Sequence, residues 1–430
     1  MKETKKYKQT ELGLLPEDWE VAKLGEKFRF ISNNTFSRDF LCEDGEIKNI
    51  HYGDVLIKYG STLDVSQPDI PAINSELLPS YQPKCLAEDG DVIIADTAED
   101  ETVCKATELW NIGGQRVVAG LHTMWCRPEK NTFAVKYLGY FMNTSLYHYQ
   151  VLPLIQGIKV SSVSKSAIQG TWLCIPPIEE QRRIASALTS IDNLIDSLDR
   201  LIAKKRNIKQ GAMQQLLSGK KRLKGFIEPW KFYKIDDLFD IGNGYTPSKA
   251  NPAYWSNGTI PWFRMEDIRA NGRILKDSIQ HITEEAVKNS GLFPANSIIL
   301  STTATIGEHA LIIADSLANQ QFSFLIRKLN RCSDIDIMFF FYHCFILGEW
   351  CRANINDGGL MAVNMTDLKN YTFPAPSLPE QQAIASVLTS MDNELSALEA
   401  KRKKYEQIKQ GMMQQLLTGR IRLKIPHPKE

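Results

Sequence analysis

A fifty-residue segment of this chain recurs with about half of its residues changed. Segments 175–224 and 375–424 align at an offset of 200 without a gap, and 26 of the 50 positions are identical. A repeated unit has to find the same kind of packing partner twice, so the duplication constrains the fold more than any other feature. Each copy reads as one long helix. The second opens with Ser377 as N-cap, Pro379 in the first turn and Glu380 three residues on, which is a capping box. The first opens with Pro176 and Pro177, followed by Glu179 and Glu180 at the positive end of the helix dipole. Gly219 and Gly419, each behind a Leu-Leu pair, are C-terminal stops. Gly211 and Gly411 fall inside the helices, where glycine costs about 1 kcal/mol. They predict close approach of another backbone, or a local break.

The apolar spacing is close to heptad. It runs Leu188, Ile191, Ile195, Leu198, Ile202 in the first copy, and Leu388, Met391, Leu395, Leu398, then Tyr405 and Met412, in the second. Such seams pack helix against helix. Two helices of matched length most simply pair with each other; the alternative is that each packs on its own domain.

The segments before the helices differ, although their ends match. Leu15-Pro16-Glu17-Asp18-Trp19 and Glu228-Pro229-Trp230 open them, and 163–168 lies 200 residues before 363–368. Short β-branched runs (Val92 to Ile94, Ile298 to Leu300) alternate with Gly, Pro and Asn turns, and helical stretches follow at 135–151 and 335–353. The chain is 430 residues long, more than one core usually holds. An α+β architecture is therefore expected: two globular domains of similar fold, 1–176 and 225–376, separated by two long helices, 177–224 and 377–430, that form an antiparallel coiled coil. That arrangement would place the two domains at opposite ends of the helix pair, so that each presents one face to a separate half of a DNA duplex.

Net charge is +1, but its distribution is uneven. Nine basic residues and no acidic one lie in 200–224, and eight basic residues against Glu406 in 401–424. Seven acidic residues and no basic one lie in 88–101, which reads as a solvated loop. Basic patches suit phosphate contact, although a charge run is also an ordinary solvated helix face. The eight cysteines form no CxxC pair and the seven histidines are scattered, so buried reduced thiols and no metal site are expected. No apolar run is long enough to span a membrane, and the polar start of the chain lacks a secretory apolar stretch, which points to the cytoplasm.

Several motifs together resemble the specificity subunits of Type I restriction–modification systems. They are Leu15-Pro-Glu-Asp-Trp19, Gly90-Asp-Val-Ile-Ile-Ala95, Gly244-Tyr-Thr-Pro-Ser248 with Ile260-Pro-Trp262, Asn319-Gln320, Pro379-Glu-Gln-Gln382 and the two Gln-Gln-Leu-Leu-x-Gly ends. The resemblance implies two target recognition domains, each reading one part of a split, asymmetric site in double-stranded DNA. It implies a helix pair that sets the gap and docks two modification subunits. Those partners would carry S-adenosylmethionine and methylate adenine, and restriction subunits with ATP and Mg would join them. It implies no catalytic residue and no cofactor in this chain.

The residues agree with that reading. No GxxxxGK[ST] loop and no HExxH is present. Asn251-Pro252-Ala253-Tyr254 is similar to the Asn-Pro-Pro-Tyr motif of adenine methyltransferases, but the second proline is missing and no cofactor loop accompanies it. Tyr254, Trp255 and Trp262 read as core or surface aromatics. Candidate DNA contacts are Lys58, Tyr59, Lys159, Ser161, Ser162 and Lys165 in the first domain. In the second they are Thr246, Ser248, Lys249, Arg264, Thr302, Thr303 and Thr305, all in polar stretches flanked by turns. Lys204, Lys205, Arg402 and Lys404 suit either phosphates or partner subunits. A self-contained methyltransferase or nuclease with its own reader, and a coiled-coil interaction protein, are the alternatives.

Overall fold

The repeated segments fold as helices Ile178–Leu216 and Leu378–Leu416, of 39 residues each. The computed structural model describes residues 6–67, 69–157, 159–288, 291–355 and 361–423; the first five residues and Lys424, at the end of the second repeat, lie outside it. Gly219 and Gly419 follow the helices with φ of +70° and +67°, the left-handed stop that their positions predict. Gly211 and Gly411 break neither helix, and nothing within the chain comes within 4 Å of a Cβ built on them, so neither expected reason for them holds here.

Packing divides the chain into two units. The first takes the residues up to Asp199 together with those from Ala400 on; the second takes Arg200–Glu399. Each unit thus holds the start of one long helix and the end of the other. In unit 1, Asp192 pairs with Lys409 at 2.7 Å and Asp199 with Arg402. In unit 2, Lys205 pairs with Glu394 at 2.6 Å and Lys209 with Asp392. One partner's number rises as the other's falls, so the helices run antiparallel.

The β domain of each unit has the same topology. In unit 1 a five-stranded sheet runs in the order Phe28–Ile31, Thr123–Pro128, Val92–Ala95, Ala106–Trp110, Thr62–Asp64. In unit 2 the order is Phe239–Asn243, Phe322–Arg327, Ser297–Ser301, His309–Ile312, Ile274–Leu275. In both, the outermost pair is parallel and the rest are antiparallel. The central strand is buried on both faces, which is why it reads as an unbroken apolar run. Alternate side chains serve two cores. Val92 and Ile94 face Tyr137, Phe141, Leu188 and Leu416, whereas Ile93 and Ala95 face Ile47, Val117 and Trp125 beneath a smaller sheet. Ile298 and Leu300 face Phe340, Leu347 and Leu388; Ile299 faces Phe263 and Phe324.

Two expectations need correction. The stretch 135–151 is two short helices, Tyr137–Met142 and Ser145–Val151, not one. Thr144 caps the second, and Asn143 turns aside to bond Ala106 O and Gly139 O, both at 2.7 Å. The acidic run 88–101 is not simply a solvated loop. Asp91 is buried, accepting from Trp125 Nε1 at 2.8 Å and from Arg127 Nε and Nη2 at 2.7 Å each. All eight cysteines are free thiols.

Candidate nucleic-acid interface

The clearest repeated feature outside the helices is the turn that follows each central strand. In unit 1, Asp96 N donates to His122 O at 3.1 Å and Val163 N to Asp96 O at 3.0 Å. In unit 2, Thr302 N donates to Gln321 O at 3.1 Å and Val363 N to Thr302 O at 2.9 Å. Gly120 N bonds Ile50 O, and Asn319 N bonds Phe263 O. These bonds pair Asp96 with Thr302, His122 with Gln321, Gly120 with Asn319, and His51 with Arg264, the residues after Ile50 and Phe263. The same backbone frame thus carries different side chains in the two units.

On the unit 1 frame the groups are aromatic and ionisable. Tyr52 lies between His51 and His122, with ring centroids 4.6 and 5.3 Å away. His122 holds a φ of +54° and sets Nδ1 3.6 Å from Asp96 Oδ1, and that oxygen accepts a hydrogen bond from Thr97 Oγ1 at 2.8 Å. Burial holds the His51 ring below its usual pKa, and Arg38 pushes it further down. Asn33 ties the turn by donating to Gly120 O and Thr123 O at 2.9 and 3.0 Å.

On the unit 2 frame the groups are amides and hydroxyls. Thr246 Oγ1 donates to Gln320 Oε1, and Gln321 Nε2 donates to Ser301 Oγ at 3.2 Å and to Thr305 Oγ1. Thr302 Oγ1 meets Ser323 Oγ at 3.2 Å, and Ser323 Oγ donates to Asn243 Oδ1 at 3.1 Å. Arg264 sits 5.7 Å from the Trp262 ring centroid and 3.7 Å from Glu266.

The candidate contacts drawn from the sequence divide accordingly. Ser161 and Ser162 pair with Ala98 and Thr97 beside Asp96, and Lys159 is exposed close by in sequence. Thr246 bonds Gln320, Thr302 meets Ser323, and Thr305 bonds Gln321, while the Thr303 carbonyl accepts from Ser301 Oγ at 2.8 Å; Ser248 and Lys249 are exposed just beyond Thr246. Lys58 instead pairs with Asp69 at 3.1 Å, and Lys165 lies over the Phe30 ring at 4.5 Å. Tyr59 is 4% exposed within the unit 1 core, which drives its hydroxyl pKa upward. His51, Tyr52, His122 and Gln321 were not anticipated, because no local pattern marks them. Of the spacer seam, Leu188 and Leu388 are fully enclosed and Ile191, Ile195, Leu198, Ile202 and Leu395 are buried, while Met391 and Leu398 are half-buried. Asn251 caps the short turn Pro252–Tyr254, and Trp255 meets Trp262 edge-on at 4.9 Å, so this stretch packs as structure. Among the described residues, no three His, Cys, Asp or Glu side chains are grouped to hold a metal ion.

The family profile described as the Type I restriction modification DNA specificity domain matches residues 16–205 and again 227–410. The chain belongs to this family. It is a Type I specificity subunit, a DNA-binding and non-catalytic member of its complex, with two target recognition domains and two long helices. The specificity subunit of EcoprrI from Escherichia coli is 46% identical over 191 residues, covering 44% of this chain and 47% of that one. The putative MjaX specificity subunit of Methanocaldococcus jannaschii is 27% identical over 97% of each chain. Two solved structures share the fold. One comes from work on complex assembly and conformational transition of the type I R-M system, with 17% identity and a TM-score of 0.61 over 95% of this chain and 99% of that one. The other is the S subunit from M. genitalium, with 12% identity and a TM-score of 0.55 over 93% and 96%. No helix among the described residues of this specificity subunit is long and apolar enough to cross a membrane.

Proposed function

We propose that each unit reads one half of a bipartite, asymmetric DNA site, with the turn after its central strand at the centre of the reading surface. The supporting observation is that one backbone frame carries His51, Tyr52, His122 and Asp96 in unit 1 but Arg264, Gln321, Thr302 and Gln320 in unit 2. Equal frames put the two surfaces in equivalent postures toward a duplex, and unlike side chains make the halves differ. Ser161, Ser162 and Lys159 in unit 1, and Thr246, Ser248, Lys249, Thr303 and Thr305 in unit 2, belong to the same surfaces. Tyr59 supports its surface from below.

The helix pair, closed by the Leu188–Ile202 and Leu388–Leu398 seams, sets the gap between the half-sites and docks two modification subunits. Recognition domains at 1–176 and 225–376 alternate with helical segments at 177–224 and 377–430. S-adenosylmethionine belongs to the modification subunits, ATP and Mg to restriction subunits, and the assembly works on DNA in the cytoplasm.

The test is a map of methylated adenines in cells without methylation of their own, expressing this chain with its modification subunit and each alone. A split, gapped, asymmetric motif that needs both is expected. Its absence, with the complex assembled and the methyltransferase active, would overturn the reading.

A further inference from the structure

We propose that Gln320 reads an adenine edge in the half-site taken by unit 2, with Thr246 as the residue that positions it. The inference rests on the DNA-reading role proposed above.

Gln320 is exposed, on the turn between Leu317–Ala318 and Phe322–Arg327. That turn is fixed from several sides. Asn319 N donates to Phe263 O at 3.0 Å, Phe322 N donates to Asn319 O at 3.1 Å, and Asn319 Oδ1 accepts from Gln321 N at 3.2 Å. Gln321 is held by Ser301 and Thr305. A second segment is drawn onto the turn by Gly244, whose N–H donates to Phe322 O at 2.9 Å. A Cβ at Gly244 would lie 2.4 Å from Asn319 O and 2.5 Å from Ala318 O, so only glycine permits the approach. Tyr245, next in the chain, is pinned by Trp262 Nε1 donating to its carbonyl at 3.0 Å. The approach sets the Thr246 hydroxyl on Gln320 Oε1.

A carboxamide offers a donor and an acceptor side by side, the complement of adenine N7 and its N6 amino group in the major groove. The Thr246 hydroxyl takes one of the two lone pairs on Oε1 and leaves the other for the N6 amino group, with Nε2 free to meet N7. It also fixes which way the amide faces, which an exposed glutamine otherwise leaves to chance. The matching position in unit 1, one residue after Gly120, is Leu121, which offers neither group. Adenine reading at this point of the frame therefore belongs to unit 2 alone.

The test uses the complex with its modification subunit and synthetic duplexes carrying all four base pairs at each position of both half-sites. The unit 2 half is identified by exchanging residues 225–376. Gln320→Ala should flatten the preference at one adenine position by roughly tenfold or more, leaving the other half-site and non-specific affinity unchanged. Gln320→Glu should move that preference toward cytosine, since a carboxylate only accepts. Thr246→Val should weaken the same preference several-fold without lowering non-specific affinity, which a loss of fold would not do. If the wild-type complex discriminates and Gln320→Ala keeps every preference in the unit 2 half, the assignment to Gln320 falls while the DNA-reading role stands. A wild-type complex with no sequence preference would overturn both.

Discussion

Arg222 holds Glu380 with two hydrogen bonds of 2.6 Å, from Nε to one carboxylate oxygen and from Nη2 to the other. Glu380 was expected to close a capping box with Ser377; both of its oxygens go to the arginine instead. Two hundred residues apart in each partner, Arg422 grips Glu180 in the same way, and each guanidinium lies beside a tryptophan: Trp230 for Arg222, Trp19 for Arg422. Glu380 is fully enclosed, whereas the arginine side chain is 27% exposed. Removing the cation strands a buried carboxylate, so Arg222→Ala should lower the stability of unit 2 by about 2 kcal/mol, below the ~3–5 kcal/mol for a fully buried pair. Arg222→Lys should recover only part, because a lysine's single nitrogen lacks the planar fork that gives two parallel bonds. Urea denaturation of the full chain measures this.

A second pair of clusters invites a mutant cycle. Tyr140 OH donates to Asp192 at 2.8 Å with Lys409 beside it, and Tyr342 OH donates to Asp392 at 2.8 Å with Lys209 beside it. Tyr342→Phe should cost about 1 kcal/mol, and that cost should largely vanish in a background carrying Asp392→Ala. Additive costs would show that the two groups do not act together.

Gly211 and Gly411 have open space around them and no positive φ. Gly211→Ala and Gly411→Ala should each stabilise the isolated chain by roughly 0.5–1 kcal/mol, read as a rise in Tm. An unchanged or lower Tm would mean that the helix needs the glycine for a reason internal to the chain.

Unit 2 carries an acid-sensitive element. His343 is buried between Phe340 and Phe373 with Nε2 3.1 Å from Tyr371 OH, and burial pushes its pKa down to about 4. Below the unfolded value near 6.5, the unfolded chain takes up a proton that the folded ring refuses. The stability present above that pH is therefore lost as pH falls toward 4, by at most about 3 kcal/mol. Phe141 follows Tyr140 as His343 follows Tyr342, so His343→Phe should make that arm of the profile shallower, the part that remains coming from His309, whose pKa burial pushes down to about 3. Denaturation midpoints at pH 7 and pH 5 for both proteins would decide it; parallel losses would exclude His343 as the source.

Exchanging 225–376 for the corresponding domain of a relative should change one half of the methylated motif and leave the other intact. Changes in both halves would count against separate readers.

The long helices were legible because their signals are local: a heptad spacing, a proline start, and a Leu-Leu-x-Gly stop, each within a few residues. That the two β domains share a fold was legible from their matching ends, but the strand order within them was not. Their strands are two to six residues long, and at equivalent points the side chains have become unrelated, as with Ala106 and His309, which occupy the same place on matching strands. What persists is a pattern of backbone bonds that no residue type encodes. The site was half legible for the same reason. Thr246, Thr302, Thr303 and Thr305 stand in recognisable polar turns, but Tyr52 and His122 meet from segments seventy residues apart. Tyr59 shows the converse, a residue in a polar stretch whose ring turns inward.

The division of the chain has a consequence for synthesis. Unit 2 is a continuous stretch, Arg200–Glu399, whereas the core of unit 1 includes Leu416 and Leu417 and its buried Glu180 waits for Arg422, 242 residues later. On a ribosome that emits the amino-terminal end first, the domain begun first is the one completed last. A chain stopped before Leu416 would therefore hold every residue of the second unit but lack part of the first, leaving Leu188 and Trp19 without the leucines that pack in their core.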